Sequence, residues 1–242
     1  MKLKLRIWRQ ATPNSPGQLH PYEVEADPRM SWLELLDHLN QQLLAQGKPP
    51  VAFDSDCREG ICGACGLLIN GRPHGTENNQ PACHQRVGHH RDGTEITIEP
   101  LRARQFPVIA DLSVDRTALD HVLAAGAWTS LNTGTAPDAD TTGTTHDQAE
   151  HALDMAACIG CGACVAACPN NAAHLFAGAK LAHLATTPIP ARERTQRAKQ
   201  IQNELTQIFG GCTLSGDCTL VCPANIDLTA VAWINKEKLY AR

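Results

Sequence analysis

The chain has 242 residues, a formal net charge of −4 and 43% hydrophobic residues, a composition able to bury a core. The slightly acidic charge gives no broad electrostatic case for nucleic acid as a partner. No run of 18 apolar residues predicts a membrane span, and the first residues lack the apolar stretch of a secretory signal. In the absence of an export signal, eleven cysteines predict bound metal rather than a disulfide scaffold.

The first hundred residues predict a small sheet with one helix. Apolar and polar residues alternate at 3–7, 22–26 and 94–99, which is typical of half-buried strands. Ser31 and Glu34 form the capping-box pattern that opens a helix. Its apolar stripe comprises Leu33, Leu36, Leu39, Leu43 and Leu44.

Gly47, followed closely by two prolines, ends that helix. The stretch GLLINGRP (66–73) then predicts a strand that enters a turn at Asn70 and Gly71. Two strands, a helix and further strands indicate an α+β domain of the β-grasp type.

The stretch CREGICGAC begins at residue 57 and has the spacing C-x4-C-x2-C, with one more cysteine after 17 intervening residues. This is the plant-type [2Fe–2S] spacing. The predicted ligands are Cys57, Cys62, Cys65 and Cys83. Glycines among them let backbone N–H groups approach an anionic cluster closely. A zinc knuckle is the alternative, although zinc sites usually pair two C-x2-C units and only one is present here. His84 follows the last cysteine and is not expected to be a ligand.

The rest of the chain predicts helices. Residues 133–147 are rich in Thr, Gly and Asp and predict a surface linker. Apolar residues beyond it recur at three- and four-residue intervals, and Gly210 and Gly211 end one such segment. We therefore expect two domains, residues 1–107 and an all-helical domain of residues 108–242.

The C-terminal region holds two cysteine runs with the same skeleton. CIGCGACVAACP (158–169) has the C-x2-C-x2-C-x3-C-P spacing of bacterial ferredoxins, in which the last cysteine serves the other cluster. A [4Fe–4S] cluster is therefore predicted on Cys158, Cys161, Cys164 and Cys222. The second run, CTLSGDCTLVCP, has Ser215 in place of one cysteine. Three thiolates remain and suit a [3Fe–4S] cluster on Cys168, Cys212 and Cys218. Ser215 as an oxygen ligand to a fourth iron is the alternative.

These motifs together resemble the iron–sulfur subunit of succinate dehydrogenase and fumarate reductase. CREGICGAC, FPVIADLSVD (106–115) and the two C-terminal runs carry the resemblance along nearly the whole chain. It implies a plant-ferredoxin-like N-terminal domain and a bacterial-ferredoxin-like C-terminal domain. It also implies an FAD-containing flavoprotein as electron donor, and a membrane-anchor cytochrome b with haem and quinone as acceptor. The expected place is peripheral, on the cytoplasmic face of the bacterial inner membrane.

The sequence departs from the ubiquinone-reducing branch of that family. Ala173 stands where that branch has a quinone-contacting Trp, and Thr213 where it has a His. The long gap before Cys83 and the linker resemble the branch with a single di-haem cytochrome b and menaquinone. This resemblance implies that the quinone pocket lies mainly in the anchor.

No residue of this chain is expected to be catalytic or to bind succinate, because the chain carries electrons. A free polyferredoxin and the iron–sulfur subunit of a soluble fumarate reductase-like enzyme are the alternative functions. Arg192, Arg194, Arg197 and Lys199 predict a basic, solvated helix face, or one that contacts anionic lipid or the anchor.

Overall fold

The computed structural model describes residues 1–128 and 143–240, and a five-stranded mixed sheet dominates its N-terminal part. The strands are β1 (Lys2–Arg9), β2 (Gln18–Glu25), β3 (Leu67–Ile69), β4 (Arg72–Pro73) and β5 (Glu95–Pro100). Their order is β2-β1-β5-β3-β4, with β1 and β5 parallel and the other pairs antiparallel. Asn70 and Gly71 have positive φ angles of 51° and 77° and form the predicted turn between β3 and β4. The predicted strands and the predicted turn are confirmed.

Helix α1 (Trp32–Ala45) shares one core with this sheet. Both halves of the Ser31–Glu34 capping box form, as predicted. The predicted stripe is wrong at one position, because Leu44 is 60% exposed while Leu35 is completely buried. Leu44 lies in the last turn of the helix, next to its final residue Ala45.

A short hairpin connects the two halves of the molecule and corrects the all-helical expectation for residues 108–242. Its strands are β6 (Val108–Ala110) and β7 (Ser113–Val114). Between them, the Asp111 carboxylate accepts hydrogen bonds from the backbone N–H groups of Gln10 (2.8 Å) and Ala52 (2.9 Å). The hairpin is therefore tied to the sheet, although Phe106 and Val114 beside it pack into the C-terminal core.

Helices build the C-terminal part, as predicted. They are α2 (Thr117–Val122), which continues into a π turn (Leu123–Ala127), α3 (His146–Ala156), α4 (Ala163–Ala167), α5 (His174–Thr186), α6 (Ala191–Ile208), α7 (Asp217–Leu220) and α8 (Thr229–Tyr240). Helix α5 is central and packs against α3 and α8. At Gly178 the backbones of α5 and α8 approach so closely that a Cβ atom would overlap the Ala230 carbonyl. None of the helices in residues 1–128 and 143–240 has the length and apolarity of a transmembrane span.

The two cysteine runs adopt matching local structures. Each run turns through a left-handed glycine, Gly162 (φ 83°) or Gly216 (φ 87°), directly before a short helix, α4 or α7. Only glycine adopts this conformation without strain. The last cysteine of each run follows its helix, and α4 packs against α7. This pairing brings the end of each run next to the start of the other.

Most of the predicted linker, residues 133–142, lies outside the described residues. Residues 143–145 are exposed and have no regular structure. The last two residues of the predicted linker belong to α3 instead, since Thr145 caps that helix by accepting a hydrogen bond from Gln148.

Candidate iron–sulfur centres

The first four predicted ligands lie in two loops that flank the β3–β4 hairpin. The Cys57 and Cys62 thiols hydrogen-bond to each other, as do those of Cys65 and Cys83. Cys83 is also close enough to Cys57 to be affected by its charge. The structure therefore brings all four side chains together. Gly60, with a φ of 77°, helps the loop to turn around them.

Backbone donors point at the sulfurs of this group. The N–H groups of Glu59 and Ala64 donate to the Sγ atoms of Cys57 (3.3 Å) and Cys62 (3.4 Å). The backbone N–H groups of Glu59 and Ile61 lower the pKa of Cys57 to about 7, and the hydrogen bond from Cys83 lowers the pKa of Cys65 to about 7. The donating partner, Cys83, has a raised pKa. A loop that stabilises thiolates in this way fits an anionic cluster.

A second group of four cysteines lines one cavity. The group consists of Cys158, Cys161, Cys164 and Cys222. The remaining wall is largely apolar and includes Leu175, Phe176 and Ile226. A donor set made only of thiols in an enclosed apolar wall fits a cluster of iron and sulfide.

The remaining three cysteines form the third group and line a separate cavity, which we call the third cavity. They are Cys168, Cys212 and Cys218, and Ser215 lies in the same lining. The side of this site formed by Thr213, Leu214 and Ser215 is exposed. The crossing of the two runs that the spacing predicts is thus present in the geometry, since Cys168 and Cys222 each line the cavity of the other run.

Burial raises the thiol pKa values in these two cavities. It raises the pKa of Cys161 to about 12 and that of Cys164 well above its usual value. Burial also raises the pKa of Cys218 and Cys222. Such thiols are neutral at pH 7 without metal, so cluster assembly there must release their protons. Backbone N–H groups of Leu214 and Ile226 lie 3.4 Å from the Cys212 and Cys222 sulfurs and would stabilise the thiolates.

The two positions that depart from the ubiquinone branch have different surroundings. Ala173 is completely buried at the start of α5 and belongs to the C-terminal core. Thr213 is exposed, and its hydroxyl accepts a hydrogen bond from the Asn170 side chain at 3.1 Å. Of the two, only Thr213 is open to a partner at the third cavity.

Three polar side chains near the cysteines are not predictable from the sequence. Arg116 donates to carbonyl groups in two different cysteine loops, and Lys180 donates to the Cys158 carbonyl at 3.0 Å. His74 is 1% exposed, and its Nδ1 accepts the Ala82 N–H at 3.3 Å. None of them has a spacing or a motif that links it to a cysteine, and only the fold makes them neighbours.

Two family models match the chain along most of its length. A 2Fe-2S iron-sulfur cluster binding domain matches residues 4–121, and a 4Fe-4S dicluster domain matches residues 136–226. The first range contains the first cysteine group and the second range contains the other two.

Relatives and a solved structure extend the similarity to nearly the whole chain. The succinate dehydrogenase iron-sulfur subunit of Bacillus subtilis is 27% identical over 97% of this chain and 92% of its own length. The fumarate reductase iron-sulfur subunit of Wolinella succinogenes is 29% identical over 97% and 96%. A chain of the Mycobacterium smegmatis Sdh1 complex has the same fold, with a TM-score of 0.70 and 24% identity over 99% of this chain and 95% of that one. The protein therefore carries both iron–sulfur domains and is similar along nearly its whole length to the iron–sulfur subunits of succinate dehydrogenases and fumarate reductases.

Proposed function

We propose that this chain is the electron-transfer subunit of a membrane-bound succinate dehydrogenase or fumarate reductase. Electrons would pass from the FAD of a flavoprotein through [2Fe–2S], [4Fe–4S] and [3Fe–4S] clusters to haem or quinone in a membrane anchor. When bound, the clusters supply the one-electron chemistry, while the chain positions and insulates them. No residue of the chain is assigned to catalysis.

One observation carries this proposal: the eleven cysteines form three groups that adjoin each other in series. The first group adjoins the second where Gly63 meets the backbone of Cys161. The second adjoins the third at Leu175, which lines both cavities. Such a sequence of sites suits electron transport from one side of the protein to the other.

We assign the clusters by cavity and spacing. The [2Fe–2S] ligands are Cys57, Cys62, Cys65 and Cys83. The [4Fe–4S] ligands are Cys158, Cys161, Cys164 and Cys222. The [3Fe–4S] ligands are Cys168, Cys212 and Cys218. We keep residues 1–107 and 108–242 as the proposed domains.

We place the membrane anchor beside the third site and the chain on the cytoplasmic face of the bacterial inner membrane. Leu214 and Leu220 support this side, since they are 62% and 69% exposed in or near the second cysteine run. Exposed large apolar side chains of this kind often mark an interface. A di-haem cytochrome b working with menaquinone is the proposed anchor, as the resemblance of the long gap before Cys83 implies.

Stepwise reduction of the purified complex, followed by EPR, tests the proposal. We expect a three-iron signal in the oxidised protein and then two further reducible centres. A flavoprotein and a haem protein should purify with the chain. Purification with a flavoprotein alone would support the soluble fumarate reductase alternative, and purification without partners would support a free polyferredoxin. Fewer than three clusters would refute the assignment.

A further inference from the structure

A single arginine connects the first two cysteine loops. Arg116 precedes α2, and its Nη1 donates hydrogen bonds to the carbonyl of Gly63 and, at 3.3 Å, to that of Cys161. Gly63 lies between two proposed [2Fe–2S] ligands, and Cys161 is a proposed [4Fe–4S] ligand. One guanidinium thus touches the loops of both centres.

The two loops are in direct backbone contact beside this arginine. A Cβ atom on Gly63 would overlap the Ile159 carbonyl and lie 2.9 Å from the Cys161 nitrogen. Gly63 also has a φ of 72°, so a larger residue would be strained as well as obstructed. Arg116 therefore lies beside the closest approach of the two loops.

The charge of Arg116 has no carboxylate counterpart in residues 1–128 and 143–240, where no acidic oxygen lies within 4.0 Å of its guanidinium. Its side chain is half-buried. An unpaired charge removed from water is costly, so a nearby anion is expected. The nearest anionic groups that the proposed function supplies are the two clusters with their thiolates.

The position of this charge has an electrostatic consequence for both centres. A positive charge that touches both loops favours negative charge on either side, and it therefore favours an additional electron at either centre.

We propose that Arg116 is a positioning residue that holds the [2Fe–2S] and [4Fe–4S] loops together and whose charge raises both reduction potentials. One electron leaves the first centre as it enters the second, and no bond or proton changes. Because the charge lies between the two centres, it stabilises the electron before and after transfer. This inference rests on the proposed function and its cluster assignment.

EPR-monitored redox titration of the purified complex tests the role of Arg116 separately from activity. In Arg116→Gln, we expect the equilibrium constant for reduction to fall about tenfold or more at both centres. A tenfold fall lowers the reduction potential of a one-electron centre by about 59 mV. The potential of the third centre should stay unchanged. Arg116→Lys, which keeps the charge, should stay within about threefold of the wild type at both centres. Arg104→Gln removes an equal charge at an exposed position and is the matched control.

Magnetic coupling between the two reduced centres gives a second readout. It should weaken in Arg116→Gln, since the loops lose their shared donor. Unchanged potentials in a fully loaded Arg116→Gln complex would overturn the inference. If Arg116→Gln loses its clusters, Arg116→Lys is the deciding variant. Reduction potentials near those of the wild type would support the role of the charge. A tenfold fall in the equilibrium constant for reduction, or loss of the clusters, would refute it. A wild-type complex with fewer than three clusters would instead refute the proposed function, whatever the variants show.

Discussion

At the scale of single residues, the proposed cluster assignment makes Ser215 the clearest point at which one side chain would select the cofactor. It lines the third cavity with Cys168, Cys212 and Cys218, at the position where the matching run has Cys161. A fourth thiolate there would complete a four-iron site. We expect Ser215→Cys to convert the three-iron centre to a four-iron one, so that the EPR signal of the oxidised protein disappears.

Ser215→Ala is the matched control for that change. It removes the hydroxyl without adding a thiolate and should keep the three-iron signal at full intensity. If the serine were instead an oxygen ligand to a fourth iron, the wild type would lack the three-iron signal and Ser215→Ala would gain it. An undiminished signal in a folded Cys variant would show that the ligand assignment is wrong.

His74 makes stability depend on pH. Its Nδ1 accepts a hydrogen bond from Ala82, so the ring proton is on Nε2, and burial lowers the pKa to about 4 from 6.5. Below pH 6.5, His74 binds a proton in the unfolded chain but stays neutral in the folded chain. The free energy of unfolding therefore falls as the pH falls towards 4. The loss should reach about 2 kcal/mol by pH 5.

Anaerobic thermal unfolding between pH 7.5 and 5 measures this effect by comparison with His74→Phe, which has no titrating group. The variant should show a shallower fall of its unfolding temperature with acidification, whatever its stability at pH 7.5. Parallel curves for the two proteins would contradict the predicted role of His74.

Among single residues, the cysteine ligands could be predicted from the sequence, whereas residues that contact them across the fold could not. Spacing alone separates the cysteines into three groups, because ligands of one cluster follow fixed local geometries. Arg116, by contrast, reaches Gly63 across 53 residues of sequence, and only the packing of the hairpin against both domains makes the two neighbours. Arg197 was expected on a solvated face but is 5% exposed, with its guanidinium stacked 3.5 Å from the Trp128 ring centre.

At the scale of elements, the crossing of the two cysteine runs predicts which cluster each cysteine substitution will impair. Helices α4 and α7 place Cys222 in the cavity of the first run and Cys168 in that of the second. We expect Cys222→Ala to impair the four-iron centre and Cys168→Ala the three-iron centre, since each removes one ligand. EPR of the two variants measures both centres side by side, and each variant serves as the control for the other.

An uncrossed arrangement would give the opposite result. In that case Cys168→Ala would remove the four-iron signal and leave the three-iron signal intact. A structure with Cys168 bound to the same cluster as Cys158 and Cys161 would likewise refute the crossed assignment.

Elements with a strong period were predictable and short ones were not. In β1, apolar and polar residues alternate along the strand. In α1, apolar residues recur at helical spacing over several turns. Both elements form as predicted. The strands β6 and β7 have only three and two residues, too few to establish any period. Asp111, between these strands, ties the chain to the sheet through long-range hydrogen bonds, which leave no trace in local sequence.

At the scale of the whole molecule, the second and third cysteine groups differ in their exposure to solvent. Cys161 in the second group is buried, whereas the third cavity has an exposed side at Thr213, Leu214 and Ser215. An inner site limits side reactions with solvent, while an outer site must lie close to the next acceptor. The exposed side of the third site therefore suits the transfer of electrons to an acceptor outside this chain. That acceptor would be either a quinone or a haem.

The exposed side of the third site has little to offer a quinone. Ala173 is buried and lacks a polar group, and the hydroxyl of Thr213 already accepts a hydrogen bond from Asn170. Thr213 also has no imidazole that could titrate near neutral pH. We therefore expect electrons to pass from this site to a haem of the anchor, with quinone held mostly by anchor residues.

Replacement of Thr213 by Val tests this expectation in the purified complex. Without a hydrogen bond to quinone, the quinone KM should stay within about twofold, whereas loss of a real one costs roughly 1 kcal/mol, or about fivefold. Thr206→Val on the exposed face of α6 is a matched control for the general effect of the substitution. A fivefold rise in KM for the Thr213 variant alone, or a structure with quinone against Thr213, would place the quinone site on this chain and contradict the anchor assignment.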